Sequence, residues 1–462
     1  MTAASLAIFV LLGQAPAADP TALVAQLGSR RYADREAAAV ALERLGRQAL
    51  PILRTARTVR DLEIRTRASG LVNRIEGALL TQPTLIALDF QDRPLLEVLK
   101  AVGDQAGLKL NLGPENDPGL GSRRITLRAP SPVPFWKAID RLCEAGQLRY
   151  NPLTLQAPPG AREPSITLSS RNGQSIQPTA PTFDSGPFRA TLVNLHFQRD
   201  VLFGQGNGMG GNRFGGRGRA NVNVIPPAAD PAIDEQFYAQ IQLTAEPRLA
   251  LSRSGPLKII EAVDDRGQSL ATRSHDGLVN ERFSGYFGMT AASGLPLMVP
   301  LAHPSQAGHS IKRFKGVVPV TVSTRKPGPL VVPLSNAAGK TFQNDDAVIT
   351  VRDIRTNPAT RMTSIDLLVR SVGAPSGAAA VAVPPGEFAY QRPDLGQQQI
   401  EVLDAQGRAL AWYNTSPDPE GSRLTLTLAP HNEQIVPAEL RYHALAHASA
   451  EVAFEFENVP MP

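Results

Sequence analysis

Residues 86–112 read IALDFQDRPLLEVLKAVGDQAGLKLNL, and residues 125–151 read ITLRAPSPVPFWKAIDRLCEAGQLRYN. The two stretches carry one pattern written twice. In each, a short apolar strand leads into an amphipathic helix, and a second short strand follows it. The repeated pattern predicts a β-α-β-β-α-β module whose two helices form a layer on one face of a small shared sheet.

Helices are predicted here by the spacing of the apolar residues. In both copies these residues recur at intervals of three and four, which places them on one helical face. The two stripes are Leu95, Leu99, Val102 and Ala106, then Phe135, Ala138, Ile139 and Leu142. A proline precedes each stripe, as is common at a helix start, and Gly107 and Gly146 mark the two ends.

Both predicted helices end in Ala-Gly. Short strands at 109–112 and 148–151 follow them and complete the pattern. In these features the module resembles the small N-terminal domain of secretins and of TonB-dependent signalling receptors. The resemblance covers about a sixth of the chain, at residues 83–157. It implies a periplasmic docking module and brings no catalytic residue with it. The long polar loop at 114–124 departs from the family's pattern.

The chain starts with MTAASLAIFVLLGQAPA, in which residues 3–12 are apolar and Ala15, Pro16 and Ala17 fit a small-residue cleavage site. This pattern predicts a signal peptide at 1–17 and a periplasmic or otherwise extracytoplasmic location, although its first region has no Lys or Arg. The apolar run is shorter than the ~20 residues of a membrane-spanning helix. We therefore expect a mature chain without a transmembrane segment.

Composition points to several domains with many short strands. A chain of 462 residues with 42% hydrophobic content has room for three or four cores, at about one domain per ~150 residues. Its 40 prolines and 38 glycines favour strands joined by turns. The net charge of +5 comes from scattered arginines, which indicates a basic solvated surface and not a nucleic-acid footprint.

Cys143 is the single cysteine of the chain, so an intramolecular disulfide framework and a cysteine-rich metal site are both excluded. It lies in the apolar part of the second predicted helix, and no histidine is near it in sequence. We interpret it as a core residue and not as a nucleophile.

Residues 18–82 carry four short apolar stripes of helical spacing, arranged in two units at 32–56 and 59–80. The units resemble a degenerate HEAT-type repeat. Their exposed face is rich in arginine, which we interpret as solvated surface, with an acidic partner as the alternative. These arginines are Arg30, Arg31, Arg35, Arg44, Arg47, Arg54, Arg57 and Arg60.

The second half of the chain reads as short strands separated by turns. After a linker at 158–182 we expect two antiparallel β-sandwich domains, at 183–335 and 336–462. An internal match supports the pair, since EAVDDRGQSL at 261–270 aligns with EVLDAQGRAL at 401–410. In both copies an aspartate ends a strand and a glycine-containing turn follows. Hairpin geometry explains these aspartates better than a calcium site, because the EF-hand spacing is missing.

A glycine-rich loop, GQGNGMGGNRFGGRGR, opens the segment 204–222 inside the first of these domains. Gly206, Gly208 and Gly211 match a G-x-G-x-x-G string, but the residues that follow cannot open the helix that a dinucleotide site needs. The loop also resembles an RGG-type segment that stacks on bases, although export argues against nucleic acid. We expect a disordered insertion.

Histidine spacing offers no metal site, because His443 and His447 would lie ~13 Å apart on a strand, and His303 and His309 sit in a loop without acids in a ligand pattern. Motifs of hydrolases, metalloproteases and nucleotide-binding enzymes are absent from the sequence. We therefore assign no catalytic, cofactor-binding or metal-binding residue.

The sequence as a whole predicts a multidomain α+β protein with a HEAT-like block, a secretin-like module and two β-sandwiches. Its predicted function is that of a non-enzymatic, exported binding or scaffold protein that docks another protein of the cell envelope. One alternative is a carbohydrate-binding envelope protein, which needs aromatic residues lined along a sandwich face; Trp412 and Tyr413 alone are thin support. The other is an enzyme whose cleft the sequence does not reveal.

Export can be tested by fractionating the native host. We expect a chain that starts near Ala18 outside the cytoplasm, identified by mass spectrometry of its first peptide, because the signal at 1–17 is removed during export. A cytosolic chain that still carries Met1 would contradict the export prediction.

Overall fold

The computed structural model describes residues 19–113, 119–150, 165–171, 180–202, 232–272, 294–304, 306–371, 399–414, 423–428 and 436–462. These residues form a few helices and many strands in several sheets, so the chain combines helical and β-rich parts. Two compact units account for them, of which the first reaches Gln82 and also takes in Ala446–Ala448. No helix among these residues is both long and apolar enough to cross a membrane.

The first unit is built from four α-helices around one apolar core. Asp61 accepts hydrogen bonds from the backbone N–H groups of Glu63 and Ile64, which caps the longest helix. Buried leucines from all four helices belong to the core: Leu23, Leu42, Leu53 and Leu71. The helices are α1 (Pro20–Gln26), α2 (Tyr32–Leu45), α3 (Leu50–Ala56) and α4 (Leu62–Leu80).

The second unit opens with the duplicated module, in which strand, helix and strand follow one another twice. Leu99 and Leu142, one from each helix, belong to a single buried core, as the two apolar stripes predict. The elements are β1 (Leu85–Ile86), β2 (Asp89–Pro94), α5 (Leu95–Ala106), β3 (Lys109–Leu112), β4 (Arg124–Arg128), β5 (Val133–Pro134), α6 (Phe135–Gly146), β6 (Leu148–Tyr150) and β7 (Ser165–Ser170).

The sheet of this module differs from the expected one. Three small sheets take the place of one shared sheet: β1 with β5, β2 with β4, and β3-β7-β6. Asp92 has a φ of 47°, and the β2–β4 register shifts between Phe90 and Arg93, so regular pairing is interrupted there.

Strand β7 lies within residues 158–182, which we expected to be a linker. It pairs in parallel with β3 and antiparallel with β6, and it adds Ile166 and Leu168 to the core of the module. Because SITLSS is short and only one third apolar, its sequence resembles any edge strand of the following β-rich region. The structure thus corrects the expected end of the module at residue 157.

Next come the strands of the first β region, arranged in two four-stranded sheets. One has the order β13-β10-β9-β8, and in the other β14 pairs with β11, β12 and β24. The strands are β8 (Thr182–Ser185), β9 (Phe188–Leu202), β10 (Ala232–Ala245), β11 (Ala250–Arg253), β12 (Lys258–Asp264), β13 (Gly294–Leu301), β14 (Ser310–Arg325) and β24 (Leu445–Pro460).

The second β region also has two sheets, with orders β15-β23-β19-β20 and β16-β17-β18-β22-β21. Residues from both sheets share one buried core, in which Val402 and Leu440 meet Ile349 and Leu426. Its strands are β15 (Leu330–Pro333), β16 (Thr341–Gln343), β17 (Ala347–Thr356), β18 (Thr363–Ser371), β19 (Ile400–Asp404), β20 (Ala409–Leu410), β21 (Trp412–Asn414), β22 (Arg423–Leu428) and β23 (Pro437–Tyr442).

Pairing of strands crosses the boundary that the sequence suggested at residue 335. β15 pairs with β23, whereas the last strand, β24, returns to β14 of the first region. Phe454 and Phe456 of β24 form a buried aromatic cluster with Phe314 of β14. Gly316 makes room for it, because a Cβ there would lie 2.5 Å from Cζ of Phe454.

The two aspartate turns have the same geometry, as their aligned sequences predict. Oδ1 of Asp264 accepts from the N–H groups of Arg266 and Gln268, and Oδ1 of Asp404 accepts from those of Gln406 and Arg408. The turn glycines have φ values of 78° and 75°, which side-chain-bearing residues rarely adopt. The same type of turn therefore occurs once in each β region and has a structural role in both.

The substitution Phe454→Ala should destabilise the first β region by about 3–5 kcal/mol, because it removes a buried ring of the aromatic cluster. Hydrogen exchange followed by mass spectrometry should show faster exchange in peptides of β14 than in peptides of β17. The exposed Val436→Ala serves as the control and should leave both unchanged. Faster exchange confined to β17 would contradict the observed pairing.

Candidate functional site

The strongest cluster of charged groups surrounds Arg189 on β9, whose side chain is 2% exposed. Its guanidinium binds Asp140 of α6 through two bonds of 2.6 Å, and Asp184 of β8 through bonds of 2.6 and 2.8 Å. A fifth bond, of 2.8 Å, goes to the hydroxyl of Tyr150. These bonds use all five N–H donors of the arginine. Its Cζ also lies 5.1 Å from the ring centre of Trp136.

Two further contacts join the duplicated module to the first β region. The indole N–H of Trp136 donates to the carbonyl of Pro187 at 3.1 Å, next to the Arg189 cluster. At another point the carboxylate of Glu246 accepts from the backbone N–H and the hydroxyl of Thr84, and Arg248 binds the same carboxylate. The module is thus held on the β region by buried polar groups whose partners come from both sides.

Burial shifts the pKa values of several groups at or near this seam, by which we mean the contact between the duplicated module and the first β region. Burial alone would lower the pKa of Arg189, but its bonds to Asp184 and Asp140 outweigh that effect and hold the pKa above the ordinary value. Burial raises the pKa of Tyr150 to about 12 and that of Cys143 to about 12. Cys143 therefore stays a thiol at neutral pH, in keeping with the core position that the sequence predicts.

Sequence reasoning did not single out Arg189. It stands in FRATLVNLHF, where an arginine in an alternating strand pattern reads as a solvent-facing residue. The structure instead buries it under α6, opposite an aspartate that lies 49 positions earlier in the chain. A local pattern carries no signal for such a pair.

The aspartates that we weighed as calcium ligands are occupied by the protein itself. Burial acts to raise the pKa of Asp264, but the N–H groups of Gln268, Gly308 and Arg266 lower it below the ordinary value. Asp404 behaves in the same way toward Arg408. Within the ranges that the structure describes, no group of three His, Cys, Asp or Glu side chains is placed to hold a metal ion.

Three of the four histidines that we weighed as metal ligands lie in different settings. His303 stacks on Phe197 with ring centres 4.1 Å apart, and the backbone N–H of His309 donates to Asp265. Nε2 of His443 lies 3.6 Å from Glu401, which is longer than a hydrogen bond, and Arg325 binds the same carboxylate. His443 and then Arg325 lower the pKa of Glu401 to about 2.

Other residues named from the sequence are less informative. The glycine-rich segment 204–222 lies outside the described residues. Of the arginines on the helical unit, Arg35 and Arg54 pair with Glu63 and Glu76. Trp412 packs against the core of the second β region, whereas Tyr413 is exposed. These positions therefore add no shared site.

A two-stranded ribbon on the duplicated module offers a candidate docking edge. It consists of β1 and β2 on one side and β4 and β5 on the other. On the β1–β2 side, the amide of Gln105 binds both the N–H and the C=O of Ala87, as a neighbouring strand would. On the other side, β4 pairs with β2 alone within the described part of the chain.

Comparisons with known proteins add nothing to this geometry, because no family model, no curated protein and no solved structure matches the chain.

The role of the Arg189 cluster can be tested by Arg189→Met. We expect the free energy of unfolding to fall by about 3 kcal/mol, because Asp140 and Asp184 lose their partner in a largely buried site. Urea unfolding measures the change. Arg199→Met is the matched control on the same strand, where the ion pair with Glu235 is exposed and worth less than about 1 kcal/mol. Equal losses in the two variants would show that the cluster does not hold the module in place.

Proposed function

We propose that this chain is an exported, non-enzymatic scaffold protein that docks another protein of the cell envelope through the outer edge of β4. The observation that carries the proposal is the ribbon of the duplicated module. An edge strand presents backbone N–H and C=O groups in a row, and an extended segment of a partner can add to it as a further strand.

Buried and exposed residues alternate along β4, which suits the docking of a partner strand. Ile125 and Leu127 are buried against α5 and α6, whereas Arg124, Thr126 and Arg128 are exposed. One face of the ribbon is thus fixed by the core, and the partner would meet backbone atoms and polar side chains. Because Gln105 already occupies the opposite edge at Ala87, the β4 edge is the better candidate.

The attachment of the duplicated module to the first β region supports the same proposal. A docking edge transmits force or position to the rest of the chain only when its module is firmly attached, and Arg189 and Trp136 provide such an attachment. Of the groups with the most strongly shifted pKa values, Arg189 and Tyr150 are bonded within this attachment, Cys143 is buried in the core of the module, and Glu401 is bound by Arg325. Their perturbation therefore has a structural explanation and requires no reaction chemistry.

The finer domain assignment belongs to the same proposal. We interpret the four-helix unit as a degenerate HEAT-like block, the duplicated module as secretin-like, and the paired sheets as β-sandwiches. In that interpretation, each part presents a surface to another chain.

The docking edge can be tested with a photoreactive amino acid placed at Thr126 in the full chain and activated in the native envelope. We expect a covalent adduct of defined mass whose partner is identified by mass spectrometry, because position 126 lies on the proposed docking edge. The matched control carries the same group at Lys100, an exposed position of α5 in the same module. Adducts of equal yield at both positions, or none at Thr126, would contradict docking by this edge.

A further inference from the structure

Two large apolar side chains are exposed at the starts of two helices in the first unit. Tyr32 is the first residue of α2 and Leu62 is the first residue of α4, and both are 66% exposed. A single exposed apolar residue is ordinary on a protein surface, whereas a group of them marks an interaction site. The meaning of the pair therefore depends on whether the two helix starts lie at the same end of the unit.

Ion pairs between α2 and α4 show that the two helices run parallel. Residue numbers rise together along the three pairs: Arg35 with Glu63, Glu36 with Arg67, and Glu43 with Arg74. Gly28, in the loop before α2, confirms the arrangement, since a Cβ there would lie 2.9 Å from Cδ1 of Ile64. Tyr32 and Leu62 thus lie at the same end of the unit.

Four exposed arginines lie at this end as well. Arg30 and Arg31 precede α2, Arg60 precedes α4, and Arg65 belongs to its first turn. Within the ranges that the structure describes, none of the four guanidinium groups has a hydrogen-bond or ion-pair partner. We call the six residues the helix-start face: Arg30, Arg31, Tyr32, Arg60, Leu62 and Arg65.

Acidic side chains at the same end are already engaged. Asp61 caps α4 by accepting from two backbone N–H groups, and Asp34 accepts from a serine hydroxyl at 2.9 Å. Glu36 and Glu63 both bind Arg67, at 2.8 and 2.6 Å. The helix-start face therefore keeps an excess of positive charge that the neighbouring acids do not neutralise.

We propose that the helix-start face binds the surface of an anionic phospholipid membrane. Guanidinium groups form strong hydrogen bonds with phosphate oxygens, and positive side chains near an anionic bilayer are attracted to it. Tyr32 brings an aromatic ring with a polar hydroxyl, which suits the boundary between headgroups and hydrocarbon. Leu62 enters the apolar side of that boundary. This activity is separate from the protein docking proposed for β4.

The two apolar side chains distinguish a membrane from other acidic partners. Unpaired arginines alone would suit any polyanion, such as a nucleic acid or an acidic polysaccharide. Neither of these offers an apolar phase to Leu62, whereas a bilayer places its phosphates directly above hydrocarbon. The combination of arginines with exposed Tyr32 and Leu62 therefore favours lipid.

Cosedimentation with vesicles tests the proposal. The protein is the mature chain that starts at Ala18, because the apolar residues 3–12 would bind lipid by themselves. We expect binding to vesicles of equal parts phosphatidylglycerol and phosphatidylcholine to be roughly tenfold or more stronger than to phosphatidylcholine alone. The double variant Arg30→Gln/Arg60→Gln should weaken it by about twentyfold, at about fivefold per arginine. Leu62→Ser should weaken it by about fivefold, because apolar burial is lost.

Matched controls come from the same helical unit. Arg44 and Arg47 lie near the other end of α2, and Arg44 is about 18 Å from Tyr32 along the axis at ~1.5 Å per residue. The double variant Arg44→Gln/Arg47→Gln should therefore change binding by less than about twofold, because salt screens charges at that distance. Thermal unfolding of each variant shows that it is folded before the vesicles are added.

Fluorescence provides a second measurement that charge alone would not affect. In Leu62→Trp, the emission should shift to the blue when vesicles with phosphatidylglycerol are added, because the indole leaves water. The control Val40→Trp replaces an exposed residue in the middle of α2 and should show no such shift.

The proposal is overturned if the wild type does not bind vesicles that contain phosphatidylglycerol, or if the two double arginine variants lose binding equally. Unchanged binding of folded Leu62→Ser, or vesicle binding of Leu62→Trp without a blue shift, would also overturn it. Either result would show that the basic surface of the chain attracts lipid without insertion of the helix-start face.

Discussion

The buried guanidinium of Arg189 is the interaction on which the arrangement of the second unit depends. Taking a charge out of water costs several kcal/mol, and the cost is offset only when every donor finds a partner in good geometry. Asp140 and Tyr150 come from the duplicated module, and Asp184 comes from the strand next to Arg189. The cluster is thus complete only when the module is seated on the β region, which couples two parts that are separate in sequence.

The same contact between the module and the first β region holds the ribbon whose β4 edge we propose for docking. The position of that edge therefore depends on the Arg189 cluster.

Much of the local structure was predictable, because it follows from the spacing of residues along one segment. The helices α5 and α6 lie where their apolar stripes place them, and Gly107 ends the first with a φ of 68°. The second helix departs slightly, since Gly146 is its last residue and Gln147 takes the left-handed conformation with a φ of 51°. The two aspartate turns were predictable as hairpin geometry for the same reason of local spacing.

Long-range pairing escaped prediction, because strand partners far apart in sequence leave no local pattern. Nothing in SITLSS shows that β7 lies between β3 and β6, and nothing in FRATLVNLHF shows that Arg189 is covered by a helix.

The pairing of β24 with β14 has a consequence for how the polypeptide reaches its native state. β14 ends at Arg325, and its neighbour begins only at Leu445, so closing this contact spans a large part of the chain. Contacts between residues far apart in sequence form slowly, because the chain loses conformational entropy when the loop closes, before the contact contributes any favourable free energy. During synthesis the earlier sheet keeps an open side at β14 until β24 has been made. A prematurely terminated polypeptide would therefore retain that open side permanently, and with it a tendency to aggregate.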